Sequence, residues 1–224
     1  EAYNIAIGFD TGKVITTGSG NVLIGGQAGD ALTTGLGNVA IGRNALSTED
    51  AHSCNTAIGH NTLQNLNAGA DGYNVAVGYT TGVSMTTGIK NTLIGAAAGD
   101  GVTTGQHNVA VGYNALGTED GDDYNTAVGS RALENSNTGA DSYNTAVGYY
   151  AGFNNTTGVR NTIIGAQAGD AVTEGYNNII IGYNAAASAV DVDNEITLGN
   201  VNISAFRCAD QSIAALSDGR DKSD

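Results

Sequence analysis

The chain has 224 residues, a formal net charge of −14, 34 Gly, and neither Pro nor Trp. So acidic a surface repels nucleic acid and anionic membranes, which excludes basic-groove readers as a class. No apolar run approaches the ~20 residues that span a bilayer, so no membrane insertion is expected.

Reading from the first residue, a pentapeptide Asn-x-(Ala/Leu/Ile)-(Ile/Val)-Gly begins at Asn4, Asn21, Asn38, Asn55, Asn74, Asn91, Asn108, Asn125, Asn144, Asn161 and Asn178. The steps are 17, 17, 17, 19, then the same four again, then 17, 17, so Asn4, Asn74 and Asn144 head copies of one 70-residue unit. A degenerate twelfth copy ends at Gly199. A fixed period of this kind is the signature of a solenoid, whose repeats stack to bury what one repeat cannot. Gly at about twice its usual share, in register with hydrophobic pairs, implies a tight turn in every repeat rather than disorder.

With the last Gly of each pentapeptide as position 0, position −1 is Ile or Val and position −3 is Val, Ile or Thr. β-Branched residues at alternate positions share one face of a short strand. Position −2, usually Ala, occupies the other. Both faces lack charge, which implies burial on both sides. The expectation is that −1 and −3 line the coil core, while small −2 residues meet identical chains at a symmetry axis. The Asn at −4 is expected to hydrogen-bond backbone at a corner, as a ladder. Three residues past each Gly a small residue such as Ala28, Ala45, Thr62 or Ala98 turns back into the core. Each coil is expected to hold two or three short strands. The fold class is therefore all-β: a parallel β-solenoid of about twelve 17–19-residue coils, a rod of roughly 55 Å at the usual strand spacing.

Asn38-Val-Ala-Ile-Gly42 with Ala45, and Asn108-Val-Ala-Val-Gly112 with Ala115, resemble the head repeats of trimeric autotransporter adhesins. The resemblance covers about nine tenths of the chain. It implies a left-handed parallel β-roll with three chains around one axis, −2 facing that axis. The coils here are longer than that family's, so the extra residues are expected in outward loops.

The tail carries a second resemblance. Ala215-Leu-Ser-Asp-Gly-Arg-Asp-Lys222 is similar to the junction between phage tail-spike or tail-fibre proteins and their C-terminal intramolecular chaperone, as in endosialidases. That likeness implies self-cleavage at Ser217–Asp218, with Ser217 as nucleophile and Lys222 as the group that activates it. It divides the chain into a repeat domain at 1–200, a tail or neck at 201–216, and the start of a truncated chaperone at 217–224. A chain that begins inside the repeat pattern and stops at Asp224 is expected to be a piece of a longer protein.

Other chemistry is poorly supplied. Glu49, Asp50, Glu119, Asp120, Asp122 and Asp123 are expected in solvated outward loops rather than as a convergent catalytic pair. Asp30, Asp100 and Asp170 recur in one slot without the nonapeptide pattern of calcium-binding β-rolls. His52, His60 and His107 lack metal-ligand spacing, and Cys54 and Cys208 are read as free thiols, so neither metal nor cofactor is expected. The aromatics are the better lead. Tyr3, Tyr73 and Tyr143 share one slot at 70-residue spacing, and Tyr79, Tyr113, Tyr149 and Tyr183 directly follow motif glycines, where side chains point outward. Outward Tyr can stack on sugars or dock on proteins at low entropic cost. The leading expectation is a structural, adhesive segment of a homotrimeric fibre with a host-surface glycan or protein receptor, in a virion tail or at a cell surface. The repeat domain is not expected to be an enzyme. The alternatives are a polysaccharide-degrading tail spike and an ice-binding face built on Thr-Thr-Gly arrays.

Overall fold

The computed structural model describes residues 3–205 apart from residues 49, 70, 119 and 140. Each pentapeptide supplies one three-residue strand: β1 (Ile5–Ile7), β2 (Val22–Ile24), β3 (Val39–Ile41), β4 (Thr56–Ile58), β5 (Val75–Val77), β6 (Thr92–Ile94), β7 (Val109–Val111), β8 (Thr126–Val128), β9 (Thr145–Val147), β10 (Thr162–Ile164), β11 (Ile179–Ile181) and β12 (Ile196–Leu198). They form one parallel sheet in chain order, each strand pairing with the next at matching pentapeptide positions, as in Ala110↔Ala127. The chain is thus an all-β parallel solenoid of about eleven turns, with no helix among the described residues. Each coil contains one strand rather than two or three. The rest is turns, with isolated bridges at Ser19–Leu36 and Asp123–Asp141.

The faces of the strand are the reverse of the expectation. From β2 to β11 the −2 residue is fully buried inside the coil, as Leu23, Ala40, Ala57, Ala76, Leu93, Ala110, Ala127, Ala146, Ile163 and Ile180. Positions −1 and −3 point away from the core and are half-buried or exposed, Ile94 to 40%. The physical reason is a volume match with position +4. Where −2 is Ala40, Ala57, Ala110 or Ala127, position +4 is Leu46, Leu63, Leu116 or Leu133, all buried. Where −2 is Leu23, Leu93 or Ile163, position +4 is Gly29, Gly99 or Gly169, and a Cβ there would lie 2.7–3.0 Å from that large side chain. Large meets small in these seven layers; where Ala76 pairs with Gly82 and Ala146 with Gly152, the space at the glycine is filled from the adjoining coils, by Leu63 and Leu93 and by Leu133 and Ile163, so the −2 column and the +4 column are two halves of one core. The four leucines hold φ of +49° to +52°, a left-handed conformation that costs each about 1–2 kcal/mol and is sustained by the burial it permits.

The Asn ladder forms as expected. Each motif Asn backbone N–H donates to the Oδ1 of the preceding motif Asn at 2.8–3.2 Å. Most Nδ2 groups then donate to a backbone carbonyl 14 residues on, as Asn108 does to Asp122 at 2.7 Å. Asn55 and Asn125 are exceptions, with unpaired Nδ2, and both precede a 19-residue step that displaces the acceptor. The small residues three past each Gly, Ala28 to Ala185, are buried as the sequence implies.

One interior column changes character along the rod. Leu66 and Met85 are replaced 70 residues later, in the same slots of the following unit, by Ser136 and Asn155, all four fully buried. Asp122, expected in an outward loop, is buried beside them. Its carboxylate accepts from Ser136 Oγ at 3.2 Å, from the Thr138 hydroxyl and backbone N–H, and from the Gly139 N–H at 2.7 Å. Asn155 has no partner for either side-chain atom. Replacing it with Met, the residue in the same slot of the preceding unit, removes two unpaired buried groups. Asn155→Met is expected to stabilise by about 1–3 kcal/mol. A lower urea midpoint for the variant would contradict this account.

His52 is nearly buried, and desolvation holds its pKa below the ordinary 6.5, partly offset by Asp71. The folded chain therefore resists a proton that the unfolded chain accepts below 6.5. Stability is lost as pH falls from about 6.5 toward the depressed folded value. His52→Gln is expected to flatten that loss in thermal melts between pH 7 and pH 5, and an unchanged slope would contradict it.

Candidate binding surface

Outward aromatics fall into two groups, one at each end of the strand. At position −5, just before each motif Asn, the backbone is left-handed in every coil from the second on, with φ between +49° and +71°. This column carries Tyr73, Lys90, His107, Tyr124, Tyr143 and Arg160, so the side chains project one above another at the coil spacing. His107 stacks on Tyr124 with centroids 5.1 Å apart, and Tyr124 on Tyr143 at 4.9 Å with planes 4° apart. Both faces of Tyr124 are therefore covered by neighbouring rings, and only ring edges face solvent. Tyr73 and Tyr143 each donate a phenol hydrogen to the carboxylate two residues earlier; the phenol pKa is raised in Tyr73 chiefly by the negative charge of Asp71 and in Tyr143 chiefly by the hydrogen bond to Asp141.

Past the turn glycine lie the four tyrosines singled out by the sequence. Tyr79, Tyr113, Tyr149 and Tyr183 are all more than half exposed, as expected for outward side chains. They do not form one continuous row. Tyr79 stacks on His60 at 5.5 Å, whereas Tyr149 meets Tyr150 edge-on at 4.4 Å. Tyr150 in turn contacts Phe153 at 4.7 Å. The Arg131 guanidinium lies 5.9 Å from the Tyr113 ring centre and 5.4 Å from that of Tyr150, and its Nε is 3.3 Å from Glu134 Oε2. Tyr150, Phe153 and Arg131 were not anticipated. Their signal was density: aromatic or cationic residues at +1, +2 or +5 of three consecutive coils.

The acidic residues are tied into the coils. The Thr33 hydroxyl donates to Asp50 Oδ1 at 2.5 Å, and the equivalent Thr103 hydroxyl donates to Asp120. Asp123 accepts the Gln106 N–H at 2.6 Å. Asp30 and Asp100 have pKa values raised chiefly by burial, while Asp170 accepts from Asn154 at 2.8 Å. No group of three or more His, Cys, Asp or Glu side chains suited to a metal occurs among the described residues. The Thr-Thr-Gly hydroxyls are directed along the rod: Thr16 and Thr86 donate to the carbonyls of Thr33 and Thr103 at 3.2 Å. A surface depression of about 390 Å³ between Asn184 and Val201 is lined by no titratable residue. Cys54 is an exposed free thiol in the −5 column. Ser217, Lys222, Cys208, Glu49 and Glu119 lie outside the described residues.

These features define a β-solenoid repeat protein with one β-branched sheet face and two outward aromatic groups. No protein-family model, no curated protein and no solved structure matches the chain.

Proposed function

We propose that the chain is a structural and adhesive segment of a homotrimeric fibre, of the kind found in phage tails or on bacterial surfaces, built as a left-handed β-roll. The observation that carries this reading is the outward face of the sheet. Positions −1 and −3 of β1–β12 stack at the strand spacing into a strip of Ile, Val and Thr, with Leu198 at its end, free of charge along its whole length. Twelve strands of three residues present on the order of 500 Å², at the upper range of the largest apolar patch on a typical monomer. The same strip on identical chains around a threefold axis would cover it without leaving an open sheet face. The small −2 residues, buried within the coil, take no part in that contact.

In this reading the outward tyrosines Tyr79, Tyr113, Tyr149 and Tyr183 meet a host-surface glycan or protein receptor, repeated three times per fibre. Ser217 and Lys222 would act only during maturation, when the complete chaperone is attached. Small-angle X-ray scattering tests the assembly: the expected particle is one solenoid long with the cross-section of three chains. The cross-section of one chain would overturn it.

A further inference from the structure

Resting on the binding reading of Tyr113 and Tyr149, we propose that Tyr113, Arg131, Glu134, Tyr149, Tyr150 and Phe153 form a subsite for an uncharged pyranose saccharide. Three outward tyrosines, Tyr79, Tyr124 and Tyr143, have a ring face covered by a stacked neighbour in register, Tyr124 on both sides by His107 and Tyr143. This cluster differs. Tyr149 and Tyr150 meet at 61° and Tyr150 and Phe153 at 40°, so the rings form walls rather than a stack. Angled rings present faces to the C–H groups of a sugar, which is the apolar half of a pyranose.

The polar half needs donors and acceptors at the wall's edge. Arg131 supplies guanidinium N–H groups in a fixed fork, and its position over Tyr113 and Tyr150 restrains that fork. Glu134 turns its buried Oε2 to Arg131 Nε at 3.3 Å, which leaves Oε1 as its acceptor for a ligand hydroxyl. A donor fork beside an acceptor matches vicinal hydroxyls, which both donate and accept.

Charge decides between ligand classes. Glu134 neutralises Arg131, so the cluster offers no net positive charge to a carboxylated or sulfated sugar. The chain as a whole carries −14 and repels polyanions at long range. The complementary ligand is therefore neutral.

The test uses the intact chain and its own fluorescence, which comes from tyrosine because Trp is absent. Maltohexaose, cellohexaose, mannohexaose and chitohexaose are titrated beside hexagalacturonate. At least one neutral hexasaccharide is expected to quench tyrosine emission saturably. Its affinity should fall about tenfold in Tyr150→Ala and in Arg131→Ala, the size of losing one central aromatic or Arg contact, and stay unchanged in Lys90→Ala, an exposed position outside the cluster. No response to any neutral sugar, a response to hexagalacturonate alone, or binding indifferent to both cluster variants would each overturn the proposal. Molar mass is measured on the same samples. A trimer that binds no sugar overturns the subsite and leaves the fibre reading standing, whereas a monomer that binds sugar does the reverse.

Discussion

Gly59→Ala is expected to cost the chain about 3–5 kcal/mol, a large share of a typical domain's 5–15 kcal/mol. The motif glycines stack directly on one another. A Cβ on Gly59 would lie 2.0 Å from the Gly78 carbonyl oxygen and 2.8 Å from Thr62 Oγ1, at a φ of +136° that L side chains rarely adopt. Neither contact can give way cheaply. The carbonyl is backbone, and the Thr62 hydroxyl is already bonded to that same oxygen at 2.6 Å. The loss should appear as a lower urea midpoint. Gly37→Ala is the internal control, because nothing lies within 4 Å of its Cβ and its φ is +64°. There only the left-handed backbone matters, and about 1 kcal/mol is expected. Equal losses at the two positions would contradict the stacked-glycine account.

Val111→Glu and Ala110→Glu, adjacent residues of β7, are expected to fail in opposite ways. Ala110 is fully buried opposite Leu116, so a carboxylate there is forced into the core and the chain should not fold. Val111 points outward between Ile94 and Val128 of the neighbouring strands. Glu at that position can reach solvent in a single chain, so the solenoid should keep its β signal in circular dichroism. Assembly should suffer instead. Burying one unpaired carboxylate per chain at about 3 kcal/mol each weakens trimerisation by about a millionfold. Val111→Ile should assemble normally. A Val111→Glu chain that stays trimeric would remove the outer face from the interface.

The solenoid itself was legible because period, Gly and β-branched residues all report the same backbone path. The Asn ladder was legible for the same reason: one side chain recurs where one corner recurs. The faces were not, because a strand apolar on both sides carries no alternation to orient it. The deciding signal lay seven residues from the start of each strand, in the match of Ala40 with Leu46 and of Leu23 with Gly29. That match depends on a turn whose left-handed Leu46 the sequence alone does not advertise. Asp122 was misplaced for a related reason: its slot is Gly105 one coil earlier, and the acidic run around it resembles a solvated loop. Among the aromatics, outward placement of Tyr79, Tyr113, Tyr149 and Tyr183 followed from their position after a turn glycine. Grouping needed the +2 column, where Arg131 and Tyr150 hold φ of +60° and +57° and so project beside their neighbours.

The central claim is that the outward Ile/Val/Thr face of the sheet is covered by two further copies of the chain. Sedimentation equilibrium tests it most directly. The account predicts a single species of three times 22.4 kDa that persists on dilution into the nanomolar range. A species of 22.4 kDa at micromolar concentration, with the β signal intact, would contradict it.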